Sequence, residues 1–227
     1  MKDNIIHCLI TQLKKEGIYG LADYEQRLTK NAGDIEVFKD LLFEARAALM
    51  FSRHSFKVTI REKPDLCIEM DKEVVYAEVK HFREKEQGRI DEKAMRESDD
   101  LVLVGNTVLL EGVDAWQQIA NVAIRKTNQY MENAPNLLVV ASDSNSISGI
   151  ILSTAVDIYN KEASKPGNLH LRRLNAFILM DQWIWPGDRL EQLIGAGHRS
   201  VIFFPTAHIA TPLSVKLANA LADIRHW

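Results

Sequence analysis

The sequence predicts an α/β fold: a helix, three consecutive strands, a second helix and a fourth strand, with further helices and strands beyond. Three observations lead there. From Lys63 to Phe82, KPDLCIEMDKEVVYAEVKHF, two runs rich in β-branched and aromatic residues flank a tight turn at Asp71-Lys72. On each side of that stretch, from Asp34 to Ser52 and from Asp114 to Met131, apolar residues recur at helical spacing. Asn136 to Ala141 is a short unbroken apolar run bounded by turn residues, the pattern of a buried strand.

Taken in order, residues 4–16 predict a helix with Ile5, Ile6, Leu9, Ile10 and Leu13 on one face and Gly17 as its stop. Residues 18–32 are polar and show no decisive period. Asp34, after Gly33, is a good N-cap because its carboxylate accepts from the open N–H groups of a first turn. The helix it begins places Val37, Phe38, Leu41, Leu42, Ala45, Ala48 and Leu49 inward, and Glu36, Lys39 and Arg46 outward. At about 100° per residue, Glu44 falls beside Val37 and Ala48, inside the edge of the apolar arc. A Glu there either snorkels at the helix boundary or serves a site. Phe56 to Ile60 alternates as a strand leading into the central hairpin.

In the second strand of that hairpin Val74, Tyr76, Glu78 and Lys80 share one face, and Val75, Ala77 and Val79 the other. A carboxylate and an ammonium thus project from a strand that otherwise reads as buried. Burying charge is costly unless it is paired or bound to a metal. Asp65, after Pro64, brings a second carboxylate to the same place.

The segment after Lys80, HFREKEQGRIDEKAMRESDD, has the mixed charge of a solvated helix or loop, and His81 beside it reads as structural or exposed. LVLVGNTVLLEG predicts a small hairpin about Gly105-Asn106. Asp114 caps the next helix, whose core stripe is Trp116, Ile119, Ala120, Ala123, Thr127, Tyr130 and Met131, with Arg125, Lys126 and Gln129 on its flanks. Ser146 to Asn160 predicts a helix ended by a loop at Lys165-Pro166-Gly167. Ala176 to Met180 and Val201 to Pro205 predict strands, with the aromatic segment Trp183-Ile184-Trp185-Pro186 between them. Pro212 to Arg225 predicts a closing amphipathic helix. No repeat or linker divides the chain. The expected organisation is one domain over 1–227: an N-terminal helical appendage at 1–33, a core at 34–142 and a C-terminal α/β extension at 143–227.

Pro64-Asp65, a spacer, and Glu78-Val79-Lys80 resemble the signature of the PD-(D/E)XK nuclease superfamily, the enzymes of restriction-endonuclease-like fold. The resemblance implies a three-layer core (α-β-β-β-α-β) with a central mixed sheet flanked by helices. It implies that Asp65 and Glu78, with the Val79 carbonyl, hold Mg²⁺ or Mn²⁺, and that Lys80 activates or orients the attacking water. Glu44 matches the Glu that many members carry on the helix before the first strand, with Glu36 as the alternative. Lys126 and Gln129 loosely match a Lys/Gln-bearing helix after the catalytic strands and are expected to meet substrate. The resemblance covers Asp34 to Ser142, and the C-terminal third in general style. The chain departs from the pattern in its charged insert after Lys80 and in having no separate DNA-recognition module.

The implied activity is a metal-dependent endonuclease hydrolysing phosphodiester bonds, in DNA rather than RNA, as a homodimer that cuts both strands. A role in restriction or defence follows by family analogy alone. The alternative is a catalytically inactive nuclease-fold protein that binds nucleic acid or serves as an assembly subunit. A third reading is an unrelated α/β protein whose hairpin is structural. Composition sets limits on each. At 46% hydrophobic and 26% charged residues the chain is of ordinary soluble type. No apolar run is long enough to span a bilayer, and the N-terminus does not read as a signal peptide, so no membrane partner and a cytoplasmic location are expected. Cys8 and Cys67 lack metal-type spacing and are expected to be reduced and buried. A net charge of −3 does not favour phosphate binding, so a nuclease of this composition needs a local basic patch or a protein partner that delivers substrate.

Overall fold

The computed structural model describes residues 2–82, 115–142, 149–182 and 199–226. Helix α1 (Lys2–Lys15) stops at Gly17, whose φ of 71° is a conformation glycine takes without steric cost. A second helix, α2 (Leu21–Lys30), occupies the polar stretch that showed no decisive period. Its buried side chains are Tyr24 and Leu28, one turn apart, too sparse a pattern to stand out among polar neighbours. Just before α2 the chain brushes the sheet edge: the Tyr19 N–H donates to the Val58 carbonyl (2.9 Å) and the Ile60 N–H to the Tyr19 carbonyl (3.0 Å).

Asp34 caps α3 (Ile35–Arg53) as expected, accepting from the N–H groups of Glu36 and Val37. The helix differs from a one-faced amphipathic element. Phe43, Ala47 and Phe51 are buried as well as Leu41, Ala45, Ala48 and Leu49, because side chains of α1 and α2 join those of α3 and the sheet in one core cluster. The Tyr24 hydroxyl donates to the Leu41 carbonyl, and the Ser52 hydroxyl to that of Glu16. Glu36, Lys39 and Arg46 are half-buried rather than outward in solvent, and Arg46 lies over the Phe43 ring.

Strands β1 (Lys57–Ile60), β2 (Leu66–Met70) and β3 (Glu73–Phe82) form an antiparallel meander. Asp71 and Lys72 both have positive φ (49° and 74°), the geometry of a two-residue hairpin turn. Helix α4 (Ala115–Arg125) crosses to β4 (Asn136–Ser142), which pairs parallel to β3. Helix α5 (Gly149–Ser164) crosses to β5 (Leu174–Gln182), parallel to β4, and β6 (Arg199–Pro205) returns antiparallel. Helix α6 (Val215–Ala222) closes the chain, with the Ser214 hydroxyl accepting from the Leu217 N–H. The fold is α/β, a six-stranded mixed open sheet in the order β1-β2-β3-β4-β5-β6 with helices on both faces.

Strand β4 shows why its sequence is unbroken in hydrophobicity. Leu137, Val139 and Ala141 enter the core under α1 to α3, while Leu138 and Val140 enter the core under α4 and α5. Each such Leu or Val contributes about 1.5–3 kcal/mol on burial.

Several boundaries differ from expectation. The α-helical part of the 114–131 segment ends at Arg125 and tightens into a 3-10 turn at Lys126–Gln129, which leaves Met131 exposed rather than in the core stripe. Helix α5 runs on to Ser164, and Pro166–Arg173 is a 3-10 turn rather than a loop. The closing helix waits for the Ser214 cap and stops at Ala222. Cys8 is exposed and Cys67 half-buried, so neither is the buried thiol expected, and both are free. The charged segment beyond Phe82, the Gly105-Asn106 hairpin, the Asp114 cap and the Trp183–Pro186 segment lie outside the described residues. Among the described residues no helix is long and apolar enough to cross a membrane.

Candidate functional site

The site is set by where β2 lets go of β3. Their ladder ends at Leu66 paired with Ala77. Asp65 is the bend residue just before Leu66 and Glu78 the residue just after Ala77, so the two carboxylates lie at the end of the ladder, where the Asp65 charge bears on Glu78. Asp65 does not extend the ladder with its backbone. A bond from the Arg61 N–H to the Asp65 carbonyl (2.8 Å) closes the loop between β1 and β2. The Asp65 carboxylate takes the place of the missing strand, accepting from the buried Val79 N–H at 2.7 Å. The N–H and C=O of a strand residue lie on one side, so the Val79 carbonyl is directed to the side where Asp65 sits.

Glu44 comes from α3, on the opposite face, and its charge bears on both Asp65 and Glu78. Its Oε2 accepts from the Arg27 guanidinium of α2 at 3.0 Å, and the same guanidinium nitrogen donates to the Arg61 carbonyl at 3.0 Å. Glu78 is 1% exposed, and its Oε2 accepts from the Lys126 ammonium at 2.7 Å. Its second oxygen, Oε1, is buried and has no hydrogen-bond partner among the described residues. Lys80 lies two residues on, on the Glu78 face, half-buried and near enough for its charge to stabilise the Asp65 carboxylate.

Burial pushes all three carboxyls toward the neutral form, and repulsion from Asp65 adds to it at Glu44 and Glu78. Glu44 is raised to about 8 by burial first and then by Asp65, with Arg27 opposing. Glu78 is raised to about 7 by burial and then by Asp65, with Lys126 opposing. Burial also raises Asp65, against the Val79 N–H and the charges of Lys126, Arg27 and Lys80. Desolvation and like charge thus win over the surrounding cations. Arg27 acts on Glu44 and Asp65, Lys126 on Asp65 and Glu78, Lys80 on Asp65 and Lys63 on Glu78, so the carboxylates lie among cations from helix, strand and loop.

Among the expected site residues, Glu44, Asp65, Glu78, Val79, Lys80 and Lys126 come together. Gln129 lies on the 3-10 turn with Lys126, its Oε1 buried and without a partner among the described residues. Of the two candidate glutamates of α3, Glu44 is the one whose charge is seen to interact with Asp65 and Glu78. His81 points to the other face, stacked on Phe43 with its Nδ1 3.1 Å from Asp40, a structural placement. Two participants had not been read from the sequence. Arg27 sat in the stretch with no decisive period, where the Tyr24/Leu28 pair was too little to place its helix. Tyr130 was assigned to the core and is indeed buried, yet the Glu78 charge reaches it.

Among the described residues no group of three or more His, Cys, Asp or Glu side chains is arranged as a ready metal centre. The donor set still suits a hard dication: the free Glu78 Oε1, the Asp65 carboxylate and the Val79 carbonyl are oxygen ligands, and a cation would relieve their repulsion. Comparison with protein-family models, with curated proteins and with solved structures returned no match.

Proposed function

We propose that the chain is a metal-dependent endonuclease of restriction-endonuclease-like type, acting on phosphodiester bonds in DNA. One observation carries this reading: Asp65, Glu78 and Glu44 converge from three elements at the point where β2 leaves β3, with Lys80 beside them. Asp65, Glu78 and the Val79 carbonyl would hold Mg²⁺ or Mn²⁺, and Glu44 would support it. When bound, such an ion would supply charge neutralisation at the scissile phosphate and a water whose lowered pKa makes hydroxide available for attack.

The remaining work falls to the chain's own groups. Lys80 is not consumed in an ion pair with Glu78, because Lys126 holds that position. Its ammonium is therefore available to donate to the attacking water and orient it. Lys63 and Arg61, both exposed at the mouth of the β1–β2 loop, offer the cations a phosphate backbone needs. The core of the reading covers α3 to β4, and the mixed sheet with helices on both faces is compatible with it.

A second reading has an observation of its own. Glu44 and Glu78 already carry Arg27 and Lys126, as the carboxylates of an inactive nuclease-fold subunit would. Incubating the protein with plasmid, single-stranded DNA and RNA in Mg²⁺, in Mn²⁺ and in EDTA separates the two. Cleavage of DNA in either metal and none in EDTA supports the enzyme. Binding without cleavage in every condition supports the subunit.

A further inference from the structure

The 3-10 turn at Lys126–Gln129 does more than end α4. Had the α-helix continued, side chains would advance by 100° per residue and 1.5 Å; the tighter turn changes the angle at which Lys126 leaves the backbone. The turn is held from within, the Thr127 hydroxyl donating to the Ile124 carbonyl at 2.6 Å. Lys126 spans from this turn to Glu78, the one carboxylate among the described residues within ion-pair distance of its ammonium. The two ends of the pair differ in environment. The Lys126 side chain is 26% exposed, Glu78 only 1%. The ammonium therefore stands between the buried carboxylate and solvent.

We infer that Lys126 is the counter-cation of Glu78 when no divalent ion is bound and a substrate-binding residue when one is. It neutralises Glu78 in the metal-free protein, leaves Glu78 when a divalent cation occupies the site, and then meets a phosphate of the nucleic-acid strand. This rests on the nuclease reading above and deepens it. Three physical points support the exchange. A monocation and a dication on one carboxylate repel each other, and at short range in a partly buried site that repulsion is large. A lysine head on a flexible stem moves at little cost, unlike a guanidinium clamped by two acceptors as Arg27 is. A released ammonium at the solvent boundary needs a new anion, and a phosphodiester is the anion the proposed reaction brings.

The exchange makes a prediction opposite in sign to that of a lysine that merely positions Glu78. Lys126→Met should bind Mg²⁺ roughly tenfold more tightly than wild type, measured by titration calorimetry at a fixed alkaline pH where protons compete little. The same variant should bind a fluorescent DNA duplex, in Ca²⁺ to prevent turnover, roughly tenfold more weakly. Lys126→Arg, which keeps the charge, should stay near wild type in duplex binding. Lys126→Gln repeats the metal titration should the methionine variant fold poorly. Equal or weaker Mg²⁺ binding by both neutral variants would overturn the inference while leaving the nuclease reading standing. Tighter Mg²⁺ binding with unchanged duplex binding would overturn the partner exchange. No Mg²⁺ binding by wild type would remove the nuclease reading, and this inference with it.

Discussion

Each carboxylate at the centre of this protein is worth a different experiment. Lys80→Ala should keep the fold and lower turnover by roughly 10²–10⁴, the contribution of a positioned acid–base group. Asp65→Asn and Glu78→Gln should lower it at least as far, by loss of metal. Glu44→Gln should depress activity strongly while Glu36→Gln is nearly silent; cleavage kinetics on one plasmid substrate check all five, and the reverse order of the two glutamates would move the third carboxylate to Glu36. The same groups give stability a pH dependence. Glu44 and Glu78 have folded values of about 8 and about 7 against an ordinary 4.5, so the folded state holds the extra protons. Their stabilising share is complete below the unfolded value and is lost as pH rises through the folded ones. In EDTA the melting temperature should therefore fall between about pH 5 and about pH 8, and Glu44→Gln should flatten the upper part of that fall. A melting temperature that stays level or climbs over this window would show the carboxyls to be ordinary. What was legible beforehand at this scale is burial: a Glu at the edge of an apolar arc and a Glu on a strand that reads as buried are both buried in the structure. The partners of those charges were not legible, because Arg27 and Lys126 reach Glu44 and Glu78 from elements distant in sequence.

At the scale of elements, α2 and the turn before it join the N-terminal helices to the site. Arg27 ties α2 to Glu44 on α3 and to the β1–β2 loop at once. Arg27→Met leaves a buried carboxyl without its cation, a loss of about 1–3 kcal/mol in denaturant unfolding, and it should lower activity along with stability. Unchanged stability and activity would make the Arg27 contact incidental. Gly20 is needed where the chain passes β1: its φ is 77°, and a Cβ there would lie 2.1 Å from the Ile60 carbonyl oxygen. Gly20→Ala should destabilise by more than about 1 kcal/mol and loosen α2. Sequence periodicity found α1, α3 and the strands because each repeats apolar residues over several turns or pleats. It missed α2, whose burial rests on Tyr24 and Leu28, and it overran α4, since nothing local marks where an α-helix tightens at Lys126.

For the whole molecule, the sheet is one continuous surface from β1 to β6, and the candidate site lies on its first three strands and the helices around them. The α5–β6 half adds two more ladders and a second core without contributing a group to the carboxylate cluster among the described residues. Under the proposed function, Asp65, Glu78 and Glu44 hold a dication; under the rival reading they are a structural ion-pair cluster. Two carboxylates about 4 Å apart repel by roughly 4 kcal/mol at an effective dielectric near 20, an upper figure before the neighbouring cations offset it. Asn at position 65 keeps an oxygen for the Val79 N–H and removes one charge, so it isolates that repulsion. The direct measurement is the melting temperature of wild type and Asp65→Asn in EDTA and in about 10 mM Mg²⁺. With a Kd on the order of 1 mM the ion adds about 1.4 kcal/mol to wild type. In a chain of this length that is a rise of roughly 3–5 °C. The account predicts that rise for wild type, a metal-free Asp65→Asn that melts at or above wild type, and the loss of most of the Mg²⁺ shift in the variant. An Asp65→Asn that melts below wild type in EDTA, with no Mg²⁺ effect on either protein, would contradict it.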